Sequence, residues 1–166
     1  MNPKIRFYKD EDAPEILSIV NNAILNTTAI YDYEPRSLES QIALLHEKIN
    51  QGFPVFVATW NEKVVGFALY GTFRPKKAYQ FTVEHSVYVA ENCIGKGIGK
   101  LLMEQLIVQA KKDKIHCMVG VVDAENKESL LFHQKFGFTV SGTLKESGYK
   151  FNRWLDSVIV QLIIEN

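Results

Sequence analysis

A carboxylate and three alternating glycines lie close together in the middle of the chain. Glu84 stands in the strand-like run 81–89, and Gly95, Gly97 and Gly99 follow it just before an amphipathic segment. Glycines permit a tight turn in which several backbone N–H groups point at one anion, and a following helix adds its unpaired N–H groups and the positive end of its dipole. The pattern predicts a phosphate-binding turn with a candidate catalytic group beside it.

Spacing separates three nucleotide-binding interpretations of this turn. A P-loop requires Gly, four residues, Gly-Lys and then Ser or Thr, but Ile94 and Leu101 occupy the first-glycine and Ser/Thr positions. A Rossmann fingerprint fails in both registers, because Lys100 or Leu102 stands where the third glycine should be. A pyrophosphate cradle for coenzyme A remains, and a loop that merely caps a helix is the alternative without a ligand.

Alternation along the run 81–89 places Glu84 on the face opposite the apolar one. Most alkylamines are protonated at pH 7, so acyl transfer to an amine needs a group that removes a proton, and a carboxylate can do so directly or through a water. Glu84 is therefore the predicted general base, with a solvated strand glutamate as the alternative. His85 falls on the apolar face, as either a hydrogen-bonded core histidine or a functional one.

Composition bounds the class of protein. The 166 residues are 46% hydrophobic and 23% charged, which predicts one globular domain over 1–166. Nineteen basic residues balance nineteen acidic ones, so the charge gives no support for a nucleic-acid or anionic-membrane partner. The first residues lack a signal-peptide segment, no run approaches the ~18 apolar residues of a membrane span, and Cys93 and Cys117 lack disulfide-framework or metal spacing. We expect a cytoplasmic protein without a metal.

The order of elements predicts the fold class α/β, with a mixed, mainly antiparallel central sheet and helices on both faces. Helices are expected to begin at the acidic segment after Asp10, at Ser37, at the glycine turn and at Asn126. The expected strands are 5–8, 55–60, 64–70, 81–89, 115–122, 138–144 and 154–164. The last two are expected to turn around Glu146-Ser147-Gly148.

Several motifs resemble those of one enzyme family, over nearly the whole chain. Residues 94–99 are similar to the coenzyme A motif of GNAT acetyltransferases, Gln/Arg-x-x-Gly-x-Gly/Ala, except that Ile94 replaces the usual Gln or Arg. The order of elements is also the GNAT order. Three blocks resemble the phosphinothricin and methionine sulfoximine N-acetyltransferase group: Thr-Val-Glu-His-Ser-Val-Tyr-Val at 82–89, Phe73-Arg74-Pro75 with Ala78-Tyr79, and Gly148-Tyr149-Lys150-Phe151 with Arg153-Trp154-Leu155-Asp156.

The resemblance implies acetyl-CoA as co-substrate. GNAT sheets usually carry a bulge in the strand that corresponds to 81–89, and this bulge offers backbone groups to pantetheine. The N–H near Val87 is the natural oxyanion donor. Asn126 and Ser129 equally suit simple helix caps. The implied cofactor-binding residues are Val87, Tyr88, Val89, Gly95, Lys96, Gly97, Ile98, Gly99, Lys100, Asn126 and Ser129.

The resemblance also implies a substrate site and a second catalytic residue. His133 stands where many GNAT enzymes have a tyrosine that protonates the departing thiolate, and an exposed helix histidine is the alternative. A substrate carboxylate needs a cationic partner, and an arginine can bind one through two N–H groups, although cations in a loop are usually just solvated. The implied substrate contacts are Arg74, Pro75, Lys76, Glu84, His85 and Ser86.

The leading hypothesis is an acetyl-CoA-dependent N-acetyltransferase for the α-amine of a small amino acid or analogue, of phosphinothricin, methionine sulfoximine or methionine sulfone type. The amine would attack the thioester directly in a ternary complex, because neither cysteine lies in a nucleophile motif. The alternatives are a non-catalytic acyl-CoA-binding sensor and an N-acetyltransferase of peptide N-termini or other small amines. The family resemblance further implies a homodimer.

Overall fold

A seven-stranded sheet organises the computed structural model, which describes residues 2–165. Every neighbouring pair of strands is antiparallel except β4 and β5, in the order β1-β2-β3-β4-β5-β7-β6. This confirms the predicted mixed α/β architecture. The elements are β1 (Lys4–Phe7), α1 (Ala13–Asn26), α2 (Leu38–Asn50), β2 (Val55–Trp60), β3 (Lys63–Thr72), β4 (Thr82–Val89), α3 (Ile98–Lys112), β5 (Cys117–Asp123), α4 (Lys127–Lys135), β6 (Thr139–Lys150) and β7 (Arg153–Ile163).

Helices cover both faces of the sheet because β2 and β3 are apolar on both sides. Val57 and Phe67 belong to the cluster formed with α1, and Ala58 and Ala68 belong to the cluster formed with α3. Neighbouring residues of a strand point to opposite faces, so continuous apolar runs allow burial on both sides. Within the described part of the chain, no helix combines the length and apolarity needed to cross a membrane.

The last hairpin turns at a different place from the one predicted. The turn expected at Glu146-Ser147-Gly148 is instead a bulge inside β6, where Glu146 has a φ of 50° and donates its N–H to the Asp156 carboxylate at 2.8 Å. The hairpin turns at Phe151 and Asn152, whose φ angles of 51° and 57° are left-handed. The polar residues of the bulge imitate a turn, whereas the true turn lacks the glycine that usually marks such a conformation.

The sheet opens between β4 and β5. Their parallel pairing covers only Thr82–Glu84 against Cys117–Val119, and the two strands separate beyond Glu84. β4 stays paired with β3 as far as Val89, and β5 stays paired with β7 as far as Asp123. The strand edges that face each other across this opening therefore have backbone groups without a sheet partner.

Candidate active site

The glycine turn lies directly after β4. Gly95 and Gly97 have φ angles of 79° and 80°, the left-handed conformation that glycine adopts without strain. A Cβ added to either would meet no other atom within 4 Å, so the space in front of the turn is open. The local geometry agrees with the turn that the sequence predicts.

Unpaired N–H groups at the start of α3 face the same region. Gly97 is the N-cap, and the Leu101 N–H donates to the Gly97 carbonyl oxygen at 3.2 Å, so the N–H groups of residues 98–100 precede the first helical hydrogen bond. The Ile98 side chain is buried in the core, which leaves only its backbone for a ligand. Lys96 Nζ lies 5.3 Å from the centroid of the Trp60 ring and adds a positive charge beside the turn. The arrangement fits a diphosphate.

Helix α4 begins on the far side of the opening. Asn126 is its N-cap and accepts the Ser129 N–H at 3.0 Å, so the capping role holds for this pair. The Phe132 ring lies 3.6 Å from the position of a Cβ on Gly99, which brings α4 against the start of α3. Two helix N-termini therefore flank the opening between the strands.

Glu84 stands where the parallel pairing ends. Its cross-strand partners are Gly71 in β3 and Val119 in β5. Its carboxylate remains accessible to solvent, but partial burial among neighbouring atoms raises its pKa, and the positive charges of Lys48 and Arg74 oppose that rise. An accessible carboxylate with these neighbours suits a general base.

Lys48 is the site residue that sequence reasoning missed. It lies in the last turn of α2, and its Nζ is 2.6 Å from the point where a Cβ on Gly71 would stand. Gly71 thus makes room for the ammonium group beside Glu84. A glycine inside a strand signals a close approach by some other group, but the sequence does not say that the group is Lys48.

The loop between β3 and β4 carries the predicted substrate residues Arg74, Pro75 and Lys76, all exposed. The Arg74 guanidinium lies 5.5 Å from the centroid of the Phe73 ring, and its charge opposes the rise that burial causes in the pKa of Glu84. The loop therefore places at least one cation within electrostatic reach of the candidate base.

The remaining strand residues divide by face. Ser86 and Tyr88 share the face of Glu84, and Tyr88 packs on Phe67 with ring centroids 5.2 Å apart. Burial raises the pKa of the Tyr88 hydroxyl. The Val87 and Val89 side chains pack against the core on the other face, which leaves their backbone groups for a ligand.

His85 and His133 are buried together, which excludes the exposed alternative for His133. Their Nε2 atoms are 2.9 Å apart, and their Nδ1 atoms lie against the carbonyl oxygens of Val119 and Ser129. Burial lowers the pKa of both rings. His85 therefore has the hydrogen bonds of a core histidine, as one of the sequence interpretations expects, and its burial does not fit the substrate contact that the resemblance implies for it.

The loop between α1 and α2 is held beside the site by a buried lysine from the last hairpin. Lys150 Nζ donates to the carbonyl oxygens of Ile24, Thr27 and Ile30 at 2.6, 2.8 and 2.6 Å. No local pattern in the sequence reveals this role of Lys150, because carbonyl partners can come from any residue. A cavity of about 340 Å³ separates this loop from the start of α4, lined by Asn26, Thr27, Thr28, Ala29, Asp123, Glu125, Asn126, Phe151 and Arg153.

No three His, Cys, Asp or Glu side chains among residues 2–165 are grouped so that they could hold a metal ion. The polar groups that the opening presents to a ligand include backbone N–H groups, the Glu84 carboxylate and the nearby cations Lys48 and Arg74.

Comparison with known proteins adds independent findings. The acetyltransferase (GNAT) family model matches residues 21–138. The L-methionine sulfoximine/L-methionine sulfone acetyltransferase of Pseudomonas aeruginosa is 39% identical to this chain, over 99% of this chain and 96% of the relative.

Two crystal structures share the fold at high similarity. An N-acetyltransferase from Staphylococcus aureus Mu50 superposes with a TM-score of 0.97 and 45% identity, covering 99% of this chain and all of the other. A GNAT superfamily phosphinothricin acetyltransferase from Sinorhizobium meliloti, in complex with acetyl-CoA, gives a TM-score of 0.95 and 30% identity, covering 99% and 89%.

These names confirm the resemblance to the phosphinothricin and methionine sulfoximine group. The family model covers most of the chain, and the relatives match nearly all of it. Both findings agree with the architecture of the open sheet. The chain belongs to the GNAT family of acetyltransferases and is a GNAT-type N-acetyltransferase.

Proposed function

We propose that this protein transfers the acetyl group of acetyl-CoA to the α-amine of a small amino acid or analogue, of the methionine sulfoximine, methionine sulfone or phosphinothricin type. The observation that carries the proposal is the position of Glu84, which lies where β4 and β5 separate. Lys48 and Arg74 are close enough to act on its pKa, and the glycine turn follows directly after β4. The names of the relatives support this substrate class.

Acetyl-CoA, when bound, supplies the activated acetyl group. The N–H groups at residues 97–100 would hold its diphosphate, and the unpaired edge of Val87–Val89 would hold its pantetheine arm. Asn126 and Ser129 at the start of α4 would contact it from the other side. The open space in front of Gly95 and Gly97 fits this use of the turn.

Glu84 removes the proton that keeps the substrate amine from attacking. The neutral amine then attacks the acetyl carbon directly, while the backbone N–H near Val87 donates to the carbonyl oxygen. The C–S bond breaks as the amide forms, and the nitrogen loses its second proton to solvent. His133 is the proposed proton donor to the departing thiolate. Both of its ring nitrogens are engaged inside the protein, so donation requires its Nε2 contact with His85 to open.

The substrate carboxylate pairs with the cations beside Glu84. Arg74 is the first of these, with Lys76 in the same loop and Lys48 across Gly71. Pro75 and Ser86 complete the proposed contacts. A carboxylate that enters a partly desolvated site is costly without such a partner.

A thiol-release assay tests the function against its alternatives. We expect release of coenzyme A with methionine sulfoximine, methionine sulfone or phosphinothricin, and background release without an amine. Binding of acetyl-CoA with no release for any amine would instead identify an acyl-CoA sensor. Faster release with short peptides than with free amino acids would indicate acetylation of peptide N-termini.

The last hairpin supports a further part of the proposal, a homodimer. β6 is an edge strand, and the hairpin exposes half or more of the side chains of Val140, Leu144, Phe151 and Trp154. Long exposed edges with apolar side chains are usually covered in native proteins. Sedimentation equilibrium should give twice the monomer mass, and Trp154→Glu should lower it; a monomer at micromolar concentration would contradict the dimer.

A further inference from the structure

Two of the four histidines, His85 and His133, meet inside the protein where β4 and β5 separate. Their Nε2 atoms are 2.9 Å apart, and each residue is only 7% exposed. His85 belongs to β4 and His133 to α4, so the contact joins the strand that carries Glu84 to the helix capped by Asn126.

The other nitrogen of each ring fixes where a hydrogen must lie. His85 Nδ1 is 2.9 Å from the carbonyl oxygen of Val119, and His133 Nδ1 is 2.7 Å from that of Ser129. The Ser129 hydroxyl oxygen is also near His133 Nδ1, but at 3.5 Å it is much farther away than the Ser129 carbonyl oxygen. A carbonyl oxygen only accepts, so each Nδ1 carries a hydrogen. A neutral imidazole has a single N–H, and two neutral rings would therefore point lone pairs at each other through their Nε2 atoms.

The ring orientations support this assignment. Turning either ring by 180° would exchange its nitrogens for carbons at both contacts, and both hydrogen bonds of that ring would be lost. The orientation in the structure satisfies all four nitrogens, provided that one hydrogen lies between the Nε2 atoms.

We propose that His85 and His133 form one binding site for a single proton, which His133 carries on Nε2 and donates to His85 Nε2. The added proton converts two facing lone pairs into an N–H···N hydrogen bond and leaves both carbonyl contacts in place. His85 is therefore a positioning residue that sets the protonation state of His133.

The surroundings limit the site to one proton. Burial, and then the charge of His133, lower the pKa of His85 to about 3, so His85 does not bind a second proton near neutrality. Burial lowers the pKa of His133, and its hydrogen bond to Ser129 opposes that shift. Among the described residues, no carboxylate or ammonium group contributes to the pKa of either ring, and the groups in contact with the pair include Val119, Gly120, Ser129, Phe132 and Phe138.

Gly120 in β5 gives the pair its space. A Cβ there would lie 2.7 Å from His85 Cε1 and 3.4 Å from His133 Nε2. The first distance is too short for a side chain, so any other residue at this position would displace the ring of His85.

The consequence for catalysis rests on the proposed function. When the contact with His85 opens, the N–H bond at His133 Nε2 breaks, an S–H bond forms on the thiolate, and the neutral pair regains one proton from solvent. Without His85, the buried His133 would lack an acceptor for its N–H and would be neutral over more of the pH range.

A ¹⁵N NMR titration of the histidine rings in the free protein, from about pH 9 to about pH 4.5, tests the shared proton. We expect the Nε2 signals of His85 and His133 to move with one common midpoint and a total uptake of one proton. The signals of the exposed His46 and His116 are assigned in the same spectra so that they are not confused with those of the pair. Separate midpoints for the two rings, or no protonation of the pair over this range, would overturn the proposal.

Two variants at position 85 sharpen the test. The amide of His85→Asn can keep the hydrogen bond to the Val119 carbonyl but removes the acceptor that faces His133, so the midpoint of His133 should move to lower pH. His85→Gln places an amide oxygen near the former Nε2, so the midpoint of His133 should return part of the way to its wild-type value. An unchanged His133 midpoint in His85→Asn would contradict the role of His85, and the wild-type titration decides the matter if a variant does not fold.

None of these measurements uses acetyl-CoA or an amine. A protein that fails to acetylate amino acids could still show the shared proton, and an active enzyme could lack it. The two proposals therefore fail separately.

Discussion

Glu84 and His85 are neighbours in β4 and yet lie in opposite environments. Glu84 faces solvent, and its pKa is raised by partial burial against the opposing charges of Lys48 and Arg74. His85 faces the interior, and burial lowers its own pKa to about 3. Strand alternation thus separates a solvent-accessible acid–base group from a buried one.

The difference shows how one short strand can carry two kinds of proton chemistry. In the proposed mechanism, the accessible carboxylate exchanges protons with the substrate, while the buried imidazole acts through its contact with His133. The comparison predicts different consequences for substitutions on the two faces of β4.

Replacement of Glu84 should have the largest effect. Glu84→Gln keeps the shape of the side chain but removes the base, so we expect kcat/KM for methionine sulfoximine to fall by ~10²-fold or more. Affinity for acetyl-CoA, measured by calorimetry, should not change. Near-normal turnover at pH 7 would mean that another group accepts the proton.

In the proposed function the glycine turn binds the cofactor and takes no part in proton transfer, so its replacement should act on affinity. Gly97→Val forces a β-branched residue into a left-handed conformation, a strain of about 1–2 kcal/mol, and crowds the proposed diphosphate site. We expect acetyl-CoA to bind about tenfold more weakly or worse. Gly142→Val, at a glycine with open space and no positive φ, is the matched control. Equal affinity in the two variants would place the cofactor elsewhere.

Arg74 should act mainly on substrate affinity, with a small shift of the acidic limb of kcat/KM to higher pH because its charge also acts on Glu84. Loss of a charged hydrogen-bonding partner typically costs about 1.5–3 kcal/mol, so Arg74→Ala should raise KM for amino acids about tenfold or more. Acetyl-CoA binding should be unaffected, as should turnover of an amine that has no carboxylate. The Arg74→Ala/Lys76→Ala double variant checks whether Lys76 compensates. Equal losses on both kinds of amine would show that the loop does not bind the carboxylate.

Lys48 should have the smallest effect, visible in the pH profile. Its charge lowers the pKa of Glu84, so Lys48→Met should raise that pKa and keep Glu84 protonated to higher pH. The acidic limb of kcat/KM should therefore move to higher pH. Lys111→Met, in the last turn of α3, is the control. An acidic limb at unchanged pH in Lys48→Met would show that the charge of Lys48 does not act on Glu84.

The sequence predicted the parts of the site that depend on local geometry. Alternation placed Glu84 and His85 on opposite faces, and the positive φ angles at Gly95 and Gly97 are those that a tight anion-binding turn requires. Glycine spacing and strand periodicity act over a few residues, so a single sequence records them directly.

The missed features depend on residues that are distant in the sequence. Lys48 reaches Glu84 across Gly71, and Lys150 binds carbonyl oxygens more than a hundred residues away. The hairpin turn at residues 151–152 was misplaced because the bulge around Glu146 has turn-like residues while strand pairing continues on both sides. Tertiary contacts set these features, and no local pattern specifies them.

The central claim is that Glu84 removes a proton from the substrate amine, and the choice of amine tests it most directly. Wild type and Glu84→Gln should be compared at pH 7 on an α-amino acid, whose amine is protonated, and on an analogue whose amine has a pKa well below 7. We expect the loss of ~10²-fold or more with the first substrate to shrink to a few-fold with the second, because that amine is already neutral. An equal loss with both amines would contradict the assignment of Glu84 as the base.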